Sequence, residues 1–133
     1  MYKLVLLLLI ATFFSCKNTP EQKVDTTYTS EFKSKAGMEV IQFHSEHRCQ
    51  TCVKIEEQVL TAIKPYENLP FKLVNVDDSA NEDFSKIFEA SGTALFLYDA
   101  ASGKKVELTD FAFMNAFEDE KFIKGLQKEI DQF

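Results

Sequence analysis

The 133-residue chain carries 15 Lys and Arg against 21 Asp and Glu, a formal net charge of −6. No cluster of cations stands ready to meet a phosphate backbone, which excludes nucleic acid as a partner. Hydrophobic residues make up 45%, with 13 Phe and no Trp: enough apolar surface for one packed core, too much for a disordered tail, and too short a chain for two domains.

Lys3 precedes an almost unbroken apolar stretch, residues 4–11, which is too short to span a bilayer and is built like a secretory signal. Thr12-Phe13-Phe14-Ser15-Cys16 then sets a small residue directly before a cysteine, and polar Lys17-Asn18-Thr19-Pro20 follows at once. The segment resembles the lipobox of bacterial lipoproteins, with Phe13 where leucine is usual. That resemblance implies a signal peptide over 1–15, cleavage before Cys16, a lipid on the Cys16 thiol, and a place on the bacterial cell envelope facing the periplasm. A plain signal peptide cut elsewhere is the alternative; either way the mature domain is exported. Residues 16–34, rich in Thr, Lys, Glu and Ser beyond Cys16, read as a flexible tether, with an added strand near Tyr28 as the alternative.

From 35 to 133 the pattern is that of a folded domain. Val40 to His44 reads as a strand, and Cys49 to about Ile63 as a helix with Cys52, Ile55, Val59, Leu60 and Ile63 on one face, stopped by Pro65. A second strand over 71–76, a second helix over 81–90 carrying Phe84, Ile87 and Phe88, and a third strand over 93–98 follow. The turn signal at 99–103 returns the chain into a fourth strand over 104–108. A last helix over 115–133 aligns Phe122, Ile123, Leu126, Ile130 and Phe133. The order is βαβαββα, an α/β class with a central mixed four-stranded sheet flanked by helices.

Within that order sits Cys49-Gln50-Thr51-Cys52, a dithiol between a strand and a helix start. With Cys16 claimed by lipid, Cys49 and Cys52 have only each other as partners in an oxidising or mixed compartment. A disulfide across so short a loop restricts the unfolded chain little, so reactivity explains the pair better than stabilisation does. Only the thiolate attacks a disulfide, so such a site must lower a thiol pKa. Cys49 has three expected helpers: the amides and dipole of the helix start, the neighbouring cation Arg48, and a hydrogen bond from the second thiol. Cys49 is thus the candidate nucleophile, and Cys52, one turn further and on the apolar face, the candidate resolving thiol.

The order of elements with this dithiol at the first helix is similar to the thioredoxin-like fold over nearly all of 35–133. Phe43-His44 followed by Arg48-Cys49-x-Thr51-Cys52 and Ile55-Glu56 is similar, more narrowly, to the thioredoxin-like nitroreductase-subunit family. The resemblance implies a redox-active Cys49–Cys52 disulfide, thiol–disulfide exchange without a cofactor, and monomeric action. Partners would be protein or small-molecule thiols and disulfides in the envelope. It also exposes departures: Gln42 stands where the family has a buried carboxylate, one extra residue lies between Phe43 and Cys49, and Ser91-Gly92-Thr93-Ala94 contains no proline where the family places a cis-proline against the dithiol. Thr93 or Ala94 takes that substrate-facing place.

Two other classes compete. His44-x-x-His47-x-Cys49-x-x-Cys52 gathers four ligands for zinc or copper within nine residues, though a strand end and helix start need not close a tetrahedron. A non-catalytic interaction module is the other alternative. The acidic groups at 77–78, 82–83 and 118–120 read as solvated caps, because the alternation and central glycine of a calcium loop are absent. The Phe residues read as core, with Phe111, Phe113 and Phe117 placed to border a groove.

Overall fold

A computed structural model describes residues 33–35 and 37–133. The signal segment, Cys16 and most of the span read as a tether lie outside the described residues, as does Tyr28. No helix among the described residues is long and apolar enough to cross a membrane.

The elements run β1 (Lys33–Ser34), β2 (Met38–His44), α1 (Gln50–Ala62), β3 (Tyr66–Glu67), β4 (Phe71–Asn75), α2 (Glu82–Ile87, preceded by a 3-10 turn), β5 (Ala94–Asp99), β6 (Lys104–Glu107), α3 (Thr109–Asn115) and α4 (Asp119–Gln132). The main sheet has the order β4-β2-β5-β6, with β4 parallel to β2, and with β5 antiparallel to both β2 and β6. It is the expected α/β architecture: a mixed four-stranded sheet flanked by helices.

β2 is central and buried on both faces, and its alternation divides the core. Met38 and Val40 face one way, onto α1, α3 and α4, where Ile55, Val59, Leu95, Leu97, Phe122, Leu126 and Ile130 complete the larger cluster. Ile41 and Phe43 face the other way, into a smaller cluster with Val74, Phe88, Ala94 and Phe96. There the rings meet at an angle: Phe43 lies 5.2 Å from Phe88 and Phe88 5.1 Å from Phe96, centroid to centroid, the offset geometry that aromatic quadrupoles favour. Gln42 shares the parity of Val40, so its side chain enters the layer beneath α1 with no solvent exposure.

Three features depart from the sequence pattern. The C-terminal part is two helices, not one over 115–133. α3 occupies 109–115 because Leu108, Ala112 and Ala116 form a buried stripe at four-residue spacing, and the Thr109 hydroxyl accepts the Leu95 amide at 3.2 Å, fixing α3 to the start of β5. Leu60, expected on the inner face of α1, is 44% exposed, whereas Gln58 is buried and donates to the Ala116 carbonyl and the Asp119 carboxylate, joining α1 to the α3–α4 junction. Finally, Lys33–Ser34, at the end of the span read as a tether, pair in parallel with Tyr66–Glu67. Tyr66 itself is buried, with its hydroxyl 3.1 Å from both the Gln127 carbonyl and the Asp131 carboxylate. Burial, then the hydrogen bond to Asp131 and last its charge, push the pKa of that hydroxyl up to about 12.

Candidate functional site

The dithiol lies where β2 ends and α1 begins. Cys49 is the N-cap of α1: its backbone is extended (φ −76°, ψ 163°), and its Sγ accepts the Cys52 amide at 3.3 Å. Sulfur here takes the part that a serine or aspartate oxygen plays at other helix starts, satisfying one of the amides the helix leaves open. No acidic residue occupies the first turn to oppose a negative charge at the cap. Both thiols are free; Cys49 is exposed and Cys52 is buried.

The Cys49 thiol is held below its ordinary value. The hydrogen bond from the Cys52 side chain contributes most, then the Cys52 amide; slight desolvation opposes them, and the Thr51 amide adds to the lowering. A donor set of this kind favours the thiolate, the form that attacks disulfides.

Arg48 is placed differently from the sequence expectation. Its Nη2 donates to the Glu56 carboxylate at 2.5 Å and to the Cys52 carbonyl at 3.4 Å, and its Nε is buried without a partner. The cation is therefore matched by Glu56 and braces the first turns of α1; it is not among the groups that lower the Cys49 thiol.

Gln42 meets the same carbonyl from below, Nε2 donating to Cys52 O at 2.9 Å, while its Oε1 is buried without a partner. Where a carboxylate could have taken a proton from Cys52, there is an amide that holds the backbone of Cys52 in place.

Across the sheet, Thr93 immediately precedes β5, and its Oγ1 lies 3.1 Å from Cys52 Sγ. Ala94, the other residue expected near the dithiol, instead pairs with Phe43 and packs in the smaller cluster on the far face of the sheet. Thr93 alone of the two borders the thiols.

The metal alternative is not assembled. His44 Nδ1 donates to the neighbouring Ser45 carbonyl at 2.8 Å, His47 is exposed, and among the described residues no three His, Cys, Asp or Glu side chains come together as a ligand group. A strand end followed by a five-residue connection does not bring these side chains together, where a closed tetrahedral site needs them convergent.

Sequence reasoning placed Phe117 at a groove and missed the rest of the surface beside the dithiol. The Cys49 carbonyl accepts the Val53 amide at 3.2 Å, and Val53, with Gln50, Lys54, Glu57 and Phe117, lines a groove of about 280 Å³. Val53 is 41% and Phe117 61% exposed, and Phe113 and Met114 on α3 are exposed as well. The three Phe residues at 111–117 were the available signal, and they divide: Phe111 packs on Phe122 at 5.4 Å, while Phe113 and Phe117 face outward.

Compared with known proteins, the chain matches no family model and no curated relative.

Proposed function

We propose that this chain is a thiol–disulfide oxidoreductase of the thioredoxin-like kind, exported and anchored to the bacterial cell envelope through lipid on Cys16. Cys49 attacks a partner disulfide, and Cys52 resolves the mixed disulfide. The observation that carries this reading is the graded pair of thiols: an exposed Cys49 at a helix N-cap, lowered by the Cys52 side chain and amide, beside a buried Cys52. A dithiol kept only for packing would need neither the exposure of one sulfur nor the donors aimed at it. Its partners are thiols and disulfides of envelope proteins or small molecules; the Arg48–Glu56 pair supports the geometry of the thiol-bearing turn.

Trapping tests the assignment. Cys52→Ser should accumulate mixed disulfides through Cys49, whereas Cys49→Ser should trap none; equal behaviour of the two variants would overturn the division of roles. The exposed Val53 and Phe117, which line one groove, favour a second reading, an interaction module that binds without redox exchange. That reading predicts partner capture that persists unchanged when both cysteines are replaced by serine.

A further inference from the structure

Resting on the dithiol reading above, we infer that Thr93 is a catalytic residue: its hydroxyl donates to Cys52 Sγ and stabilises the thiolate that Cys52 must form to resolve a mixed disulfide. The direction of the bond follows from counting protons. The Thr93 Oγ1 to Cys52 Sγ contact, 3.1 Å, is open to either donor by distance alone. To attack, Cys52 must give up its proton, and a thiolate sulfur can only accept a hydrogen bond. Between these two atoms the Thr93 hydroxyl is then the donor, with its proton pointing at the Cys52 sulfur.

Three placements make this a built arrangement. Thr93 is β-branched and directly precedes β5, whose first residue, Ala94, is locked in register with Phe43, so both backbone and χ1 are restricted. Cys52 is 5% exposed, which leaves little water to solvate an anion on its sulfur. The inward position that could hold a carboxylate is Gln42, and its only donor group is spent on the Cys52 carbonyl.

In the resolving step Cys52 sulfur attacks Cys49 sulfur. The Cys49–partner S–S bond breaks, the Cys49–Cys52 bond forms, and the electron pair leaves on the partner sulfur, which ends with the proton that Cys52 gave up. Thr93 keeps its own proton throughout, and no outside oxidant or reductant enters.

The test uses the full chain carrying Cys16→Ser, so that only two thiols report, mixed with dithiobis-nitrobenzoate, whose released thiol is coloured. Attack by Cys49 releases the first equivalent, and resolution by Cys52 the second; Cys52→Ser identifies the second phase by abolishing it. Losing a hydrogen bond to a charged group lowers the thiolate population by about tenfold or more, and about half of that free energy returns as greater nucleophilicity, leaving a loss of about threefold or more in rate. Thr93→Val, which keeps the shape and removes the hydroxyl, should slow the second phase by at least that factor, and Thr93→Ser should restore it. A second phase within about twofold of the parent in Thr93→Val, or a Thr93→Ser variant as slow as the valine one, would overturn the assignment. Thr93→Ala replaces the valine variant should that one fail to fold. Because the reagent reacts with any accessible dithiol, the outcomes separate: a parent that shows both phases yet traps no envelope partner removes the proposed function and leaves the role of Thr93 standing.

Discussion

Gln42 Nε2 and Cys52 O, 2.9 Å apart and ten residues apart in sequence, join the central strand to the turn that carries the thiols. The bond lies in a layer that water does not reach, and Arg48 donates to the same carbonyl at 3.4 Å. The helix start is thus held by two side chains, so that Cys49 can be exposed without the turn being loose.

A carboxylate at position 42 would reverse that effect. Gln42→Glu removes the donor and places a buried acid against a carbonyl oxygen, and it should cost about 2–3 kcal/mol at neutral pH. Burial raises the carboxyl pKa of the folded form, so the folded protein binds the extra proton and stability falls as pH rises above about 4.3. Gln42→Leu removes the unpartnered Oε1 together with the donor and should change stability by less than about 1 kcal/mol. Urea unfolding of both variants at acidic and neutral pH checks the contrast.

The Arg48–Glu56 pair braces the helix and does not tune the thiol. With each side chain about a quarter exposed, 24% and 25%, the coupling measured by a double-mutant cycle should be about 1 kcal/mol or less. Arg48→Met should leave the alkylation rate of Cys49 within about threefold, because Glu56 already offsets the charge. A loss of Cys49 reactivity by two orders of magnitude, with the fold retained, would restore Arg48 to the direct role that its sequence position suggested.

Cys52 is the main influence on Cys49. Cys52→Ala should therefore move the pH dependence of Cys49 alkylation upward, toward that of a free thiol, while the amide donors of Cys52 and Thr51 remain and keep part of the lowering. Rates of iodoacetamide labelling against pH, read at Cys49 by mass, measure the shift. An unmoved curve would mean that the cap and dipole alone set the thiol.

Gly125 on α4 lies directly against the Phe111 ring of α3. A Cβ there would sit 2.5 Å from Phe111 Cε2 and 2.7 Å from Cζ, so Gly125→Ala should destabilise by about 1–2 kcal/mol despite the better helix propensity of alanine. In a Phe111→Leu background, which withdraws the ring atoms, the same change should become neutral or stabilising by up to about 1 kcal/mol. Denaturant midpoints of the four proteins decide it.

What could be read from sequence follows from how local each signal is. The strand of Val40 to His44, the helix after it and the Cys49–Cys52 pair are encoded within a few residues of themselves. The Thr93 contact spans 41 residues and became visible only through the missing proline. α3 was hidden because its buried residues are small or polar, Ala112 and Asn115, while the conspicuous Phe113 and Met114 face outward. Gln58 escaped for a related reason: a polar residue on an apolar face looks like solvent until its partners, Ala116 and Asp119, are brought beside it. Arg48 adjoins Cys49 in sequence, but the helix offers it Glu56 two turns on, and a carboxylate holds a guanidinium more firmly than an exposed sulfur does.

The central claim is that the two thiols exchange electrons as a unit. Its most direct test is a redox titration of the protein across dithiol buffers, counting free Cys49 and Cys52 by mass after alkylation. A reversible two-electron transition between roughly −270 and −120 mV is the predicted result. Thiols that stay reduced across the whole range, or that titrate independently as single sites, would contradict it.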